Sequence, residues 1–252
     1  MASKDSKTCG RLRPADLADI LEDLGRAERQ QLLGWLEPEQ AADALEEMEP
    51  AELENLLREA QPEHAARLVD EMEPDEAADA LRDLTGEERE ALLTRMPAGE
   101  AAELRRLLTH REGTAGGAMT TLLVTARRDE SVADVRGRLA EQAEHRTEID
   151  AVAVVDDEGR VACDIPLFDL AVAEDSAPVA DLVIWRAQFG PPVTVRPDTP
   201  LSEAADQLVT ARASSLLVLD DGDRPLGRIL ADDLLDAMLP ERGRLHFRRF
   251  LQ

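Results

Sequence analysis

Carboxylates are the one chemically capable group this chain has in quantity. Its 252 residues carry 54 Asp and Glu against 29 Lys and Arg, a formal charge of −25. One pair has a defined spacing. Asp75 and Asp79, in PDEAAD, stand four apart and would share a helix face. Like charges there repel by roughly 0.2–0.5 kcal/mol unless a cation sits between them. Two readings stay open: a bridging cation, or water and counterions that tolerate the pair. Other reactive side chains lack pattern. His64, His110, His145 and His246 show neither H-x-x-x-H nor H-E-x-x-H spacing. Ser214 and Ser215 lie in no G-x-S-x-G elbow, and Gly113, Gly116 and Gly117 form no phosphate loop. Cys9 and Cys163 form no ligand pair and read as reduced thiols. No enzyme is expected.

Composition excludes further classes. A surface this acidic repels nucleic acid and anionic lipid. Aromatic content is 2%, with no Tyr, so platforms for stacking bases are scarce. No nucleic-acid partner is expected. The N-terminus, MASKDSKTCG, has no apolar core of a signal peptide. No apolar run approaches the roughly 20 residues that span a bilayer. The expectation is a soluble cytoplasmic protein.

These carboxylates must be held by elements, and the sequence divides them sharply. Prolines at 14, 38, 50, 62, 74 and 97 mark a unit of about twelve residues, as in EPEQAADALEEM (37–48) and EPDEAADALRDL (73–84). Proline suits a first helical turn, and an acidic residue after it suits the helix dipole. Apolar residues such as Ala41, Ala42, Leu45 and Met48 then recur at helical spacing. Helices of about ten residues are marginal alone, so they must stack into a small superhelix. After REGTAGGAMTT (111–121), whose glycines permit bending, the pattern changes. Two copies of a β-α-β-β-α order follow. The first has strands at 122–125, 149–155 and 160–165, with helices at 131–144 and 167–173. The second has strands at 193–196, 215–219 and 225–230, with helices at 201–211 and 231–238. VVDDEGRV (154–161) matches VLDDGDRP (218–225).

These tandem units, each with a VVDxxGR-type hairpin and an Asp-bearing helix after it, resemble a CBS-domain pair (a Bateman module). LRPADLADILEDL (12–24) and TAGGAMTT (114–121) extend the likeness to the cytosolic region of MgtE-type magnesium channels. The fold implied is multidomain α and α/β: a short-helix superhelical repeat domain, then a tandem CBS module of β-α-β-β-α units. The boundaries expected are a disordered tail at 1–11, the N domain at 12–112, CBS domains at 113–176 and 177–239, and a basic segment at 240–252. No transmembrane domain is expected in this chain.

In the family, Mg²⁺ binds between the N domain and the CBS pair and stabilises a closed arrangement. Hard oxygen ligands and retained waters suit Mg²⁺ to scattered carboxylates. The resemblance carries this role onto Asp75, Asp79 and Asp43 of the N domain and onto Asp233 and Asp236 of ADDLLDAM, with Glu241 matching a further carboxylate. Ser202 and Arg212 depart from acidic family positions, and RGRLHFRRF replaces an acidic connecting helix. The implied function is a Mg²⁺-responsive regulatory module acting on a membrane metal-ion transporter, as a homodimer through its CBS domains. It would be cytoplasmic or peripheral at the inner face of the membrane. A metal-independent interaction scaffold is the alternative. Adenine nucleotide is disfavoured, because Leu230 and Pro166 stand where the nucleotide pattern of CBS domains has a hydroxyl, although Asp169 is kept.

Overall fold

Proline fixes where the first unit's helices begin. The structure, a computed structural model, describes residues 12–238 apart from the side chains of Glu144, Asp236 and Ala237. These residues divide after Thr109 into two units. The tail at 1–11 and the segment at 239–252, with Glu241 and the basic run, lie outside the described residues.

The first unit holds α1 (Pro14–Asp23), α2 (Arg26–Leu33), α3 (Pro38–Glu46), α4 (Pro50–Glu59), α5 (Pro62–Asp70), α6 (Pro74–Arg82), α7 (Gly86–Leu93) and α8 (Ala98–Leu107). Proline opens five of them, where its missing N–H costs nothing. A capping box of Thr85 and Glu88 opens α7 instead. Helices pack on the next but one: α1 on α3, α3 on α5, α5 on α7, and α4 on α6, α6 on α8. Two rows result, with the short side chains of Ala41, Ala42, Ala65, Ala66, Ala77 and Ala78 buried.

The row structure has polar fastenings that the repeat alone does not announce. The Glu22 carboxylate accepts the Glu49 N–H at 2.8 Å, and Glu46 accepts the Glu73 N–H at 2.8 Å. A carboxylate at the end of one helix thereby caps the start of a helix in the other row. Arg29, 8% exposed, donates to the carbonyls of Leu21, Glu22 and Leu24 at the end of α1. Arg89 does the same for Leu81, Arg82 and Leu84 at the end of α6. Each guanidinium satisfies carbonyls that a helix end leaves unpaired.

The second unit contains β1 (Thr125–Arg127), α9 (Val132–Glu141), β2 (Ala151–Val155), β3 (Val161–Pro166), α10 (Leu167–Val172), α11 (Val179–Arg186), β4 (Thr194–Val195), α12 (Leu201–Ala211), β5 (Ser215–Leu219), β6 (Pro225–Leu230) and α13 (Ala231–Met238). Two three-stranded sheets run β1-β2-β3 and β4-β5-β6, each with one parallel and one antiparallel pairing. Their registers repeat: Ala153 faces Asp164, and Leu217 faces Arg228. The hairpin Asp156 and Asp220 accept equivalent backbone N–H groups, from Glu158 and Arg160 and from Gly222 and Arg224.

Each half is completed by the segment that leads into the other. Residues before β1 are bound to the second half: Ala115 N–H donates to Thr199, Gly116 to Pro197, and Thr120 pairs both ways with Arg228. Residues before and within α11 are bound to the first half, through Val132 to Ala177, Val179 to Glu130 and Ala180 to Arg128. Buried Ala153, Leu217 and Leu219 join the halves, with Leu123 and Val161 against them.

The 111–121 stretch therefore differs from a bending joint. A Cβ on Gly117 would lie 2.3 Å from the Arg111 carbonyl oxygen. One on Gly116 would meet His110 and Pro197 within 3 Å. Those glycines permit close approach of backbones, not flexure. The first strand also begins later than its apolar run suggests, at Thr125, because Thr120 is already paired with Arg228. The helix α11 was hidden in an apolar run, PVADLVIW, without a helical period.

Candidate functional site

Asp75 and Asp79 both stand on α6, as their spacing predicts. Asp75 is partly buried and Asp79 is exposed. Asp79 is ion-paired with Arg82, one turn on, and Arg82 also donates to the Leu107 carbonyl at 3.3 Å. The repulsion expected between the two aspartates is thus offset by a cation of the chain itself. Asp43 is exposed on α3, in the opposite row from α6. Asp233 is partly buried on α13. Asp236 is on the same helix, and its side chain lies outside the description. Among the described residues no three His, Cys, Asp or Glu side chains gather within either unit as a metal centre would need. Chemically the donors fit Mg²⁺: all are carboxylates, and a hydrated ion needs few of them.

Ser202 and Arg212 stand at the two ends of α12. Ser202 is exposed in the first turn of α12. Arg212 closes that helix with φ of 53°, its N–H donating toward Leu208 and Val209. A cation suits a helix C-terminus.

The nucleotide pattern's remnants are also placed. Asp169, 8% exposed, lies on α10 with its Oδ2 3.8 Å from Arg186 Nε. Arg186 sits 5.3 Å from the centre of the Phe189 ring. Pro166 ends β3 and leads into α10, and Leu230 is buried at the end of β6. Cys163 is buried in β3, and burial pushes its thiol above the usual range.

Sequence reasoning missed the most buried charge. Arg228, on β6, is 1% exposed. It donates to both oxygens of Asp164 at 2.6 and 2.9 Å, and to Ser215 Oγ at 2.5 Å. Asp150 lies 3.3 Å away and accepts from Ser214 at 2.5 Å and Ser215 at 3.0 Å. Burial alone would lower the Arg228 pKa, but bonding and charge from Asp164, and the charge of Asp150, hold it raised. The available signal was GRIL, an arginine inside an otherwise apolar strand.

The family whose model matches residues 12–113 is the MgtE intracellular N domain, and the CBS-domain model matches 115–175 and 179–240. The chain joins an MgtE N domain to a CBS pair. The magnesium transporter MgtE of Thermus thermophilus is 31% identical over 132 residues, 52% of this chain. The match spans 28% of that transporter's length. The soluble part of a magnesium transporter is similar over 92% of this chain and 90% of its own, with a TM-score of 0.85 and 27% identity. The cytosolic domain of the Mg²⁺ channel MgtE in complex with ATP is similar over 92% and 93%, with a TM-score of 0.81 and 28% identity. The MgtE N domain and CBS pair of this chain are thus related to the cytosolic part of a magnesium transporter. No helix among the described residues is long and apolar enough to cross a membrane.

Proposed function

We propose that this chain is a magnesium-responsive regulatory module. Carboxylates of the N domain and the CBS pair share divalent cations, and the cations set the angle between the two parts. That angle acts on magnesium transport through a separate membrane partner, with the CBS pair forming a homodimer. The observation that carries this reading is the likeness to the soluble part of a magnesium transporter across both parts, in the same order. Asp43, Asp75 and Asp79 on one side and Asp233 and Asp236 on the other are the oxygen donors such ions would take. With a charge of −25, like-charge repulsion drives the parts away from each other when cations are scarce. A ligand that binds one arrangement better then shifts the population toward it.

The test is thermal unfolding of the whole chain in millimolar MgCl₂ and in NaCl of matched ionic strength. The midpoint is expected to rise more in MgCl₂, and the excess is expected to vanish in the variant D75N/D79N/D233N. Equal shifts in the two salts would remove the proposal. Small-angle scattering with EDTA and with Mg²⁺ reads the same change as a difference in radius.

A metal-independent scaffold is the second reading, supported by Arg212, whose cation stands at a position acidic in the family. Binding to a membrane partner that chelator leaves intact would favour it. The relative solved with ATP makes a nucleotide trial worthwhile, with Asp169 as the retained contact. Calorimetry without heat on adding ATP, ADP or AMP would end that line.

A further inference from the structure

Residues meeting at the centre of the CBS pair are each other's repeat mates. The strand registers align Ala153 with Leu217 and Asp164 with Arg228. Ser214 bonds Asp150, and Arg228 bonds Asp164; each pair is 64 residues apart in sequence. A residue can touch its own repeat mate only on the pseudo-two-fold axis that relates the halves. Position 150 meets 214 there, and position 164 meets 228.

On a true two-fold axis each residue would meet its own copy. Pairing two first halves would therefore set Asp150 against Asp150 and Asp164 against Asp164. Pairing two second halves would set Arg228 against Arg228, at a place where that residue is 1% exposed. Like charges juxtaposed out of water cost several kcal/mol. The observed mixed pairing instead gives a two-pronged Arg228–Asp164 contact, with the Ser214 and Ser215 hydroxyls donating to Asp150. The apolar cluster around the axis, Ala153 with Leu217 and Leu219, carries no charge to add to this discrimination.

We infer that the Asp150–Ser214 and Asp164–Arg228 pairs are a specificity device. They make association through this face obligatorily mixed, and they prevent this face of one half from pairing with the same face of the same half in a second copy. The partner that this surface rejects is thus an identical chain at the same half. Such a device matters where two similar modules are made on one polypeptide and many copies are present.

Disulfide trapping tests it. Position 214 meets position 214 only if second halves of two chains pair, so the S214C thiol in a C9S/C163A background reports like-with-like association. The whole chain is unfolded, then refolded at high protein concentration under oxidising conditions. With Asp164 and Arg228 present, only a small fraction of disulfide-linked dimer is expected. Adding D164L/R228L removes the discrimination, and such replacement of a buried ion pair is commonly neutral or stabilising. Linked dimer is then expected to rise at least about tenfold, the change that 1.4 kcal/mol gives. If the leucine chain fails to fold by circular dichroism, D164N/R228Q takes its place. Equal cross-linking in charged and neutral backgrounds, whether high or absent, overturns the inference.

Discussion

Asp70 shows what one covalent detail does to a repeat. Glu22 and Glu46 each accept an N–H 27 residues further on, at Glu49 and Glu73. The next position in the series is Asp70, and its matching position is Pro97, which has no N–H to give. The Oδ1 of Asp70 is buried without a hydrogen bond. Burial holds its carboxyl above the usual range, and Glu100 and then Glu71 add to this. A raised carboxyl pKa means that the folded state binds the proton more tightly than the unfolded chain. The penalty is absent below the ordinary aspartate value, builds as pH rises through the raised value, and is complete at neutral pH. D70N is therefore expected to raise the midpoint of the first unit at pH 7 and to change little near pH 3.5. P97A supplies an N–H and should bring the carboxyl back toward its ordinary range, read by NMR titration of Asp70. At this scale the sequence was partly legible. The Asp75/Asp79 face was readable from spacing, and Arg82 stood three residues on in the same helix. The partners Asp164 and Arg228 were not readable, because nothing local ties residues so far apart until the repeat is folded onto its axis.

At the scale of elements, the proline period was strong enough to place the first unit's helices. The reason is that proline acts through backbone chemistry alone. Ser131 and Asp134 close a capping box at the start of α9, three residues apart and therefore also local. The glycine segment was misjudged, since a small side chain signals both freedom and crowding, and only the neighbours decide. G117A separates these. A flexible joint would tolerate alanine, but a Cβ 2.3 Å from a carbonyl oxygen forces backbone to move. A loss of roughly 1–3 kcal/mol is expected in denaturant unfolding of the second unit. The caps between rows give a further test. E46A removes the acceptor for the Glu73 N–H and should cost about 1 kcal/mol in the first unit.

At the scale of the whole molecule, charge was the most legible property and fold order the next. A chain at −25 repels itself, so salt should stabilise it even without specific binding. Raising NaCl from about 10 to 150 mM shortens the screening length from roughly 30 to 8 Å and should lift the unfolding midpoint. That baseline is what any magnesium effect must exceed. The caps between rows also constrain how a chain of this kind can change length. The sequence repeats every twelve residues, but Glu22 and Glu46 stand 24 apart, as do Glu49 and Glu73. Deleting 38–61 would leave Glu22 27 residues before Glu73, another acidic helix start in the proper row. Deleting only 38–49 would leave it 27 residues before Gln61, the start of a helix in its own row. Heritable insertions and deletions in this domain are therefore viable in helix pairs. A duplication slip of one repeat would leave a helix facing the wrong neighbour.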